Sequence, residues 1–310
     1  MEILKLNSVS KYFGDYKATN DVSFSVQKGA IFGLLGPNGA GKTTIIRQIT
    51  NIYYPDSGEI LLFGESVSSK HQNMMGYLPE ERGLYKKLKV IEQLIYFGEL
   101  KGLSKKEAEK RARLWLIKLG ANDWIDKKIQ ELSKGMQQKI QFISTILHDP
   151  EFLILDEPFS GFDPVNAELL KDIILELKSQ GKTIILSTHV MSQVEELCDE
   201  IVLINRGKII LEGKVREIKK SFGRNNLKIE FDGSDEFLNG IDSSKIINRS
   251  NNSVEIKLEN ENEAKAIFSK IDNSTFIYKF ELAEPSLHEI FINTVGINNL
   301  NEQEILEIQK

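Results

Sequence analysis

The sequence is short of cysteine and of long apolar runs. Cys198 is the one cysteine in 310 residues, which excludes an intrachain disulfide. The longest apolar stretches, "IFGLLG" and "FLILDEP", are far shorter than the ~20 residues a membrane-spanning helix needs. Also missing is any long run of one charge sign. The 40 Lys and Arg stand against 45 Asp and Glu, a formal net charge of −5. This balance argues against the basic footprint of a nucleic-acid binder and against a polybasic dock on anionic lipid. The opening "MEILKLNSVS" is not a secretory leader, so the cytosol is the expected compartment. Any work at a membrane is expected to go through a partner.

What is present suits a folded chain of about two domains. Hydrophobic residues make up 41%, ample for a core. Strand-like alternation runs through "EILKLNSV", "DVSFSV" and "AIFGLLG", and "KTTIIRQIT" then reads as a helix. "GEILLFGES" is a further strand and turn. Residues 90–119 carry helical spacing, and another helix is expected from about Ser133. The short apolar strands "FLILD" and "TIILS" flank a helical stretch, "NAELLKDIILELKSQG". Strands alternating with helices imply a largely parallel sheet. "EIVLINRGKIILEG" reads as a strand pair turning at Arg206-Gly207. Composition shifts near Ser221 towards Asn, Ser and Asp. The expectation is an α/β domain over 1–220 with a helical insert at about 86–145, a small α+β domain over 221–295, and a polar tail over 296–310.

"GPNGAGKTT", Gly36 to Thr44, fits the phosphate-loop pattern and lies between an apolar strand and a helix. Such a loop turns backbone N–H groups towards phosphate oxygens, at the positive end of a helix. Gly36, Asn38, Gly39, Gly41, Lys42, Thr43 and Thr44 are the expected nucleotide contacts. Lys42 can reach the outer phosphates, and Thr43 offers a hydroxyl to Mg2+. "FLILDEP" ends an apolar strand in two carboxylates, Asp156 and Glu157. Strand ends at the mouth of a parallel sheet face the ligand. Asp156 suits Mg2+, and Glu157 suits a base or water-orienting group for attack on the γ-phosphate. A third element, "ELSKGMQQK", is an incomplete anion loop that opens a helix, with Ser133 placed to cap it.

Taken together these motifs resemble the nucleotide-binding subunits of ATP-binding cassette transporters. The resemblance covers about residues 2–220 and keeps the family's order. "GPNGAGKTT" resembles the Walker A loop, "FLILDEP" the Walker B strand with its catalytic Glu157, and "LSKGMQQK" the signature loop. "SGFD" resembles the D-loop with Asp163, and His189 in "STHV" the switch histidine. The resemblance implies a P-loop cassette fold that binds ATP and Mg2+. It implies a head-to-tail dimer in which Ser133 and Gly135 of one copy close on the nucleotide held by the other. Phe13 in "KYFG" is the implied adenine-stacking aromatic, with Tyr12 as the alternative. Other implied partners are a transmembrane permease and a second cassette, with no nucleic acid.

Four positions depart from the family pattern. Glu80 in "MGYLPEERGLY" stands where a Gln usually helps ligate Mg2+, and is expected to keep an oxygen near the metal while adding negative charge. The "ERGLY" loop that follows is expected to border the permease groove. Lys134 and Met136 replace commoner residues in the signature loop, and Phe162 replaces a common Leu in the D-loop. "EPSLHEIFI" resembles the accessory domain of type-2 exporter cassettes. The expected function is an ATPase subunit of an exporter, located on the inner face of the membrane. The alternative is a soluble cassette ATPase acting on ribosomes or DNA.

Overall fold

The computed structural model describes residues 1–295 other than Arg82 and Asn273. The expected polar tail and Arg82 of the "ERGLY" loop lie outside the described residues. The chain divides into two compact units, one over Met1–Lys214 and one beginning at Val215.

The first unit opens with a long hairpin, β1 (Glu2–Phe13) and β2 (Tyr16–Gln27), followed by β3 (Ile31–Leu35) and α1 (Lys42–Ile49). Next come β4 (Ser57–Leu62), β5 (Glu65–Ser66) and β6 (Met75–Leu78), then α2 (Val90–Leu100), α3 (Lys105–Lys118) and α4 (Lys134–Ile146). β7 (Phe152–Asp156), α5 (Pro164–Ser179), β8 (Thr183–Thr188), α6 (Met191–Leu197), β9 (Glu200–Asn205) and β10 (Lys208–Lys214) complete it.

Two sheets result. The larger has the order β10-β9-β3-β8-β7-β6, and only the edge strand β10 runs antiparallel to its neighbour. Every residue of β3, β7 and β8 is buried, which is why "FLILD" and "TIILS" read as short apolar runs; β3, expected to alternate, is instead covered on both faces. The smaller sheet, β2-β1-β4-β5, is antiparallel, with burial alternating at Val22, Phe24 and Val26 of β2 and interrupted by bulges along β1. Leu4, Leu6 and Val22 from this sheet meet Leu34, Ile154 and Val202 from the larger one, with Ile45, Ile46 and Ile49 of α1, in one continuous core. The helical insert starts cleanly because Ser104 caps α3, its hydroxyl accepting from the Glu107 N–H at 3.2 Å.

Strand register decides where the chemistry sits. Leu35 pairs with Thr188, and Asp156 pairs with Ser187. The C-terminal ends of β3, β7 and β8 therefore share one edge of the sheet.

The second unit holds α7 (Val215–Ser221), β11 (Asn226–Gly233), β12 (Ile246–Arg249), β13 (Ser253–Lys257), α8 (Glu261–Phe268), β14 (Thr275–Ala283) and α9 (Leu287–Val295). Its sheet is antiparallel, with the order β12-β13-β11-β14. Leu227, Ile229, Phe231, Val254, Ile256 and Ile267 form its core. The division falls before α7, earlier than the composition shift at Ser221. The shift marks the polar surface of the loop after α7, while α7 itself buries Val215 and Ile218. The motif "EPSLHEIFI" has a structural basis here. Ser286 and Glu289 form a reciprocal cap at the start of α9, with Ser286 N–H donating to Glu289 Oε2 at 2.8 Å and Glu289 N–H to Ser286 Oγ at 3.2 Å. The other Glu289 oxygen accepts from the buried Asn226 amide on β11 at 2.7 Å.

Candidate active site

The loop between β3 and α1 wraps a cavity of about 420 Å3. Asn38, Gly39, Gly41, Lys42, Thr43 and Thr44 line it, with Glu80, Asp156 and Glu157 opposite. Gly36 sits behind the loop, and its role there is steric. Its φ is +148°, and a Cβ would lie 2.2 Å from the Ile204 carbonyl. Lys42 is buried, and its ammonium donates to the Gly36 carbonyl at 2.6 Å and the Pro37 carbonyl at 3.2 Å. The loop thus holds its own lysine across its mouth.

Asp156 ends β7 at 1% exposure, and its Oδ2 is buried with no hydrogen-bond partner. Burial first, then the negative charges of Glu157 and Glu80, push its carboxyl up to about 6, with the Ser187 hydroxyl opposing. Tyr77, on β6, is pushed up to about 12 by burial and by the Asp156 charge.

Glu157 follows in a left-handed conformation, φ +48°, a conformation that costs energy for a side chain and that concentrates at functional sites. Its backbone N–H donates to the Ser187 carbonyl at 2.9 Å. Its carboxylate is held by the end of β8 and the residue that follows. Thr188 Oγ1 donates to Oε2 at 3.2 Å, His189 N–H donates to Oε1 at 3.1 Å, and His189 Nδ1 lies 2.7 Å from the same oxygen. His189 therefore reaches the cavity through Glu157.

These residues fit a nucleotide with a divalent cation. The orphaned Asp156 oxygen, the Thr43 hydroxyl and the Glu80 carboxylate are hard oxygen donors of the type Mg2+ takes. Among the described residues no set of three or more His, Cys, Asp or Glu side chains is placed to hold a metal by itself.

Other expected site residues stand apart from this cavity. Ser133 caps α4, accepting from the Met136 N–H at 3.3 Å, and neither it nor Gly135 lines the cavity. A Cβ on Gly135 would lie 3.0 Å from the Gly161 carbonyl, so the helix start rests on the "SGFD" segment. Asp163 caps α5, its Oδ1 accepting from the Asn166 N–H at 2.9 Å. Phe13 is 45% exposed and packs edge-on against Tyr53, with ring centroids 5.5 Å apart. Tyr12 stacks under the Lys17 ammonium. Among the described residues the aromatic one that lines the cavity is Tyr16, whose hydroxyl donates to the Gly39 carbonyl at 3.3 Å. The sequence held a clue to Tyr16. A Gly-Asp turn closes the β1–β2 hairpin and sets Tyr16 opposite Phe13.

Residues 19–160 match the family described as ABC transporter, and residues 213–295 match the C-terminal domain of ATP-binding protein DrrA1-3-like chains. An uncharacterized ABC transporter ATP-binding protein of Bacillus subtilis, YhaQ, is 47% identical over 294 residues, 95% of this chain and 99% of YhaQ. The Nod factor export ATP-binding protein I of Burkholderia lata is 37% identical over 213 residues, 68% of this chain and 70% of that protein. A solved ATP-binding subunit of an ABC transporter superposes with a TM-score of 0.67 at 31% identity, covering 71% of this chain and 93% of the other. The phosphate loop, the Asp-Glu strand end and this near full-length kinship with YhaQ agree, and the chain belongs to the ATP-binding proteins of ABC transporters.

Proposed function

We propose that this chain is the Mg2+-dependent ATP-hydrolysing subunit of an exporter, driving a separate permease through head-to-tail closure of two cassettes. One observation carries the dimer reading. The Ser133–Gly135 loop is built as a helix start suited to phosphate, yet it lies outside the cavity formed by the chain's own phosphate loop. A second cassette would give each cavity its missing wall. Among the described residues no helix is long and apolar enough to cross a membrane, so the reading assigns the path to a permease. Outward direction is supported by the likeness to the Nod factor export protein.

The residues would divide the work as follows. The loop amides and Lys42 hold the phosphates, and Tyr16 or Phe13 meets the base. Thr43, Asp156 and Glu80 face the cation, which supplies charge neutralisation at the outer phosphates when bound. Glu157 orients the attacking water, and Thr188 and His189 aim its carboxylate. Positioning and charge stabilisation carry most of such a reaction.

The test is a pull-down of tagged Glu157→Gln protein with ATP from detergent-solubilised membranes of its host. A multi-span membrane protein in near-equal amount is expected. Recovery of ribosomes or DNA with no membrane protein would overturn the exporter reading and leave the ATPase chemistry standing.

A further inference from the structure

Among the described residues three carboxylates line the phosphate-loop cavity, Glu80, Asp156 and Glu157, against one ammonium, that of Lys42. Two of the three have settled positions. Asp156 is buried with an unpartnered oxygen, and Glu157 is gripped by Thr188 and His189. Glu80 is different. It is exposed, and it follows the end of β6, where Leu78 pairs with Leu155 one residue before Asp156. That register carries Glu80 to the cavity beside Asp156. Among the described residues Arg47 donates to the Tyr53 hydroxyl at 3.3 Å and does not line the cavity. A nucleoside triphosphate brings several more negative charges to the same space. Without a cation every added carboxylate opposes it; with a divalent cation bound between them the sign of the Glu80 interaction reverses.

We infer that Glu80 makes nucleotide binding conditional on a divalent cation, its carboxylate repelling the bare triphosphate and favouring the cation-loaded one. The inference rests on the nucleotide reading given above. It assigns Glu80 a selective role that an amide of the same shape could not fill, because an amide has no charge to set against the bare phosphates.

The test uses the full chain and a fluorescent ATP analogue at pH 8 and low salt, where exposed charges are least screened. Kd is measured by anisotropy in excess EDTA and in excess Mg2+, for the wild type, Glu80→Gln and Glu80→Asp. Glu80→Gln is expected to tighten metal-free binding by about tenfold, or ~1.4 kcal/mol, while Mg2+-loaded binding stays level or weakens. Glu80→Asp is expected to keep the wild-type ratio of the two constants. An equal change in both conditions, or no change in the ratio, overturns the inference. A wild type that binds the analogue in neither condition overturns the nucleotide reading itself, and the inference with it.

Discussion

His189 Nδ1 and Glu157 Oε1 lie 2.7 Å apart, joining the residues that directly follow neighbouring strands β8 and β7. The same oxygen also accepts from the His189 backbone N–H, and the other carboxylate oxygen from Thr188. The histidine ring is thus one of three supports for a carboxylate that faces the cavity. The two residues are therefore expected to fail unequally. On the proposed reading Glu157→Gln removes the charge that orients the attacking water, and it is expected to lower ATP turnover by about 10²- to 10⁴-fold. His189→Ala leaves two supports in place and is expected to lower it less. Phosphate release at saturating Mg·ATP, with nucleotide affinity measured alongside, checks the order. Equal losses would mean that the ring itself contacts the reacting atoms.

Asp156 predicts a pH dependence of stability. Its carboxyl titrates at about 6 in the fold against an ordinary value of 3.8. Between those values the folded chain holds a proton that the unfolded chain has lost, so stability falls as pH rises through this window. Above pH 6 the full penalty applies, ~3 kcal/mol for a shift of about two units. Asp156→Asn is expected to raise the melting temperature of nucleotide-free protein at pH 7–8 and to leave it unchanged below pH 4. Melting curves of both proteins across that range decide it. A constant difference at all pH values would point to packing and not to charge.

The parts of this site that were legible in the sequence are those built from one short segment. The phosphate loop is a fixed spacing between a strand and a helix, and the Asp-Glu pair follows directly from an apolar strand. The grip of His189 on Glu157 was not legible, because it spans 32 residues and depends on β7 and β8 being parallel neighbours in one register. Tyr16 escaped for a related reason. Its place at the cavity follows from the hairpin register and from the fold of the phosphate loop beneath it. The reciprocal bonds of Ser286 and Glu289 are local, but the reach of Glu289 to Asn226 across the small unit is not.

Two glycines of the phosphate loop are expected to respond differently to alanine. A Cβ on Gly36 would meet the Ile204 carbonyl at 2.2 Å, and the clash is with backbone that cannot swing aside. Gly39 also has positive φ, +78°, but open space around its would-be Cβ. Gly39→Ala is expected to cost only the left-handed strain, about 1–2 kcal/mol, and to yield folded protein. Gly36→Ala is expected to yield little soluble protein, or a melting temperature far below that of Gly39→Ala. Expression yield and thermal melts of the pair distinguish the cases.

Ser133 allows its structural and intersubunit roles to be separated. In the fold its hydroxyl caps α4, accepting from the Met136 N–H. Ser133→Ala is expected to cost about 1 kcal/mol of stability by losing that cap. Ser133→Asp keeps a good capping oxygen and adds a charge that suits the positive end of the helix, so it is expected to melt at the wild-type temperature or above. If α4 opens onto the partner's nucleotide, the same carboxylate would stand against its phosphates. ATP-dependent dimerisation, followed by light scattering in a Glu157→Gln background, is then expected to be abolished by Ser133→Asp and only weakened by Ser133→Ala. The stabler protein would be the worse dimer, an order that capping alone cannot produce. A Ser133→Asp chain that dimerises like its parent would remove the loop from the nucleotide interface.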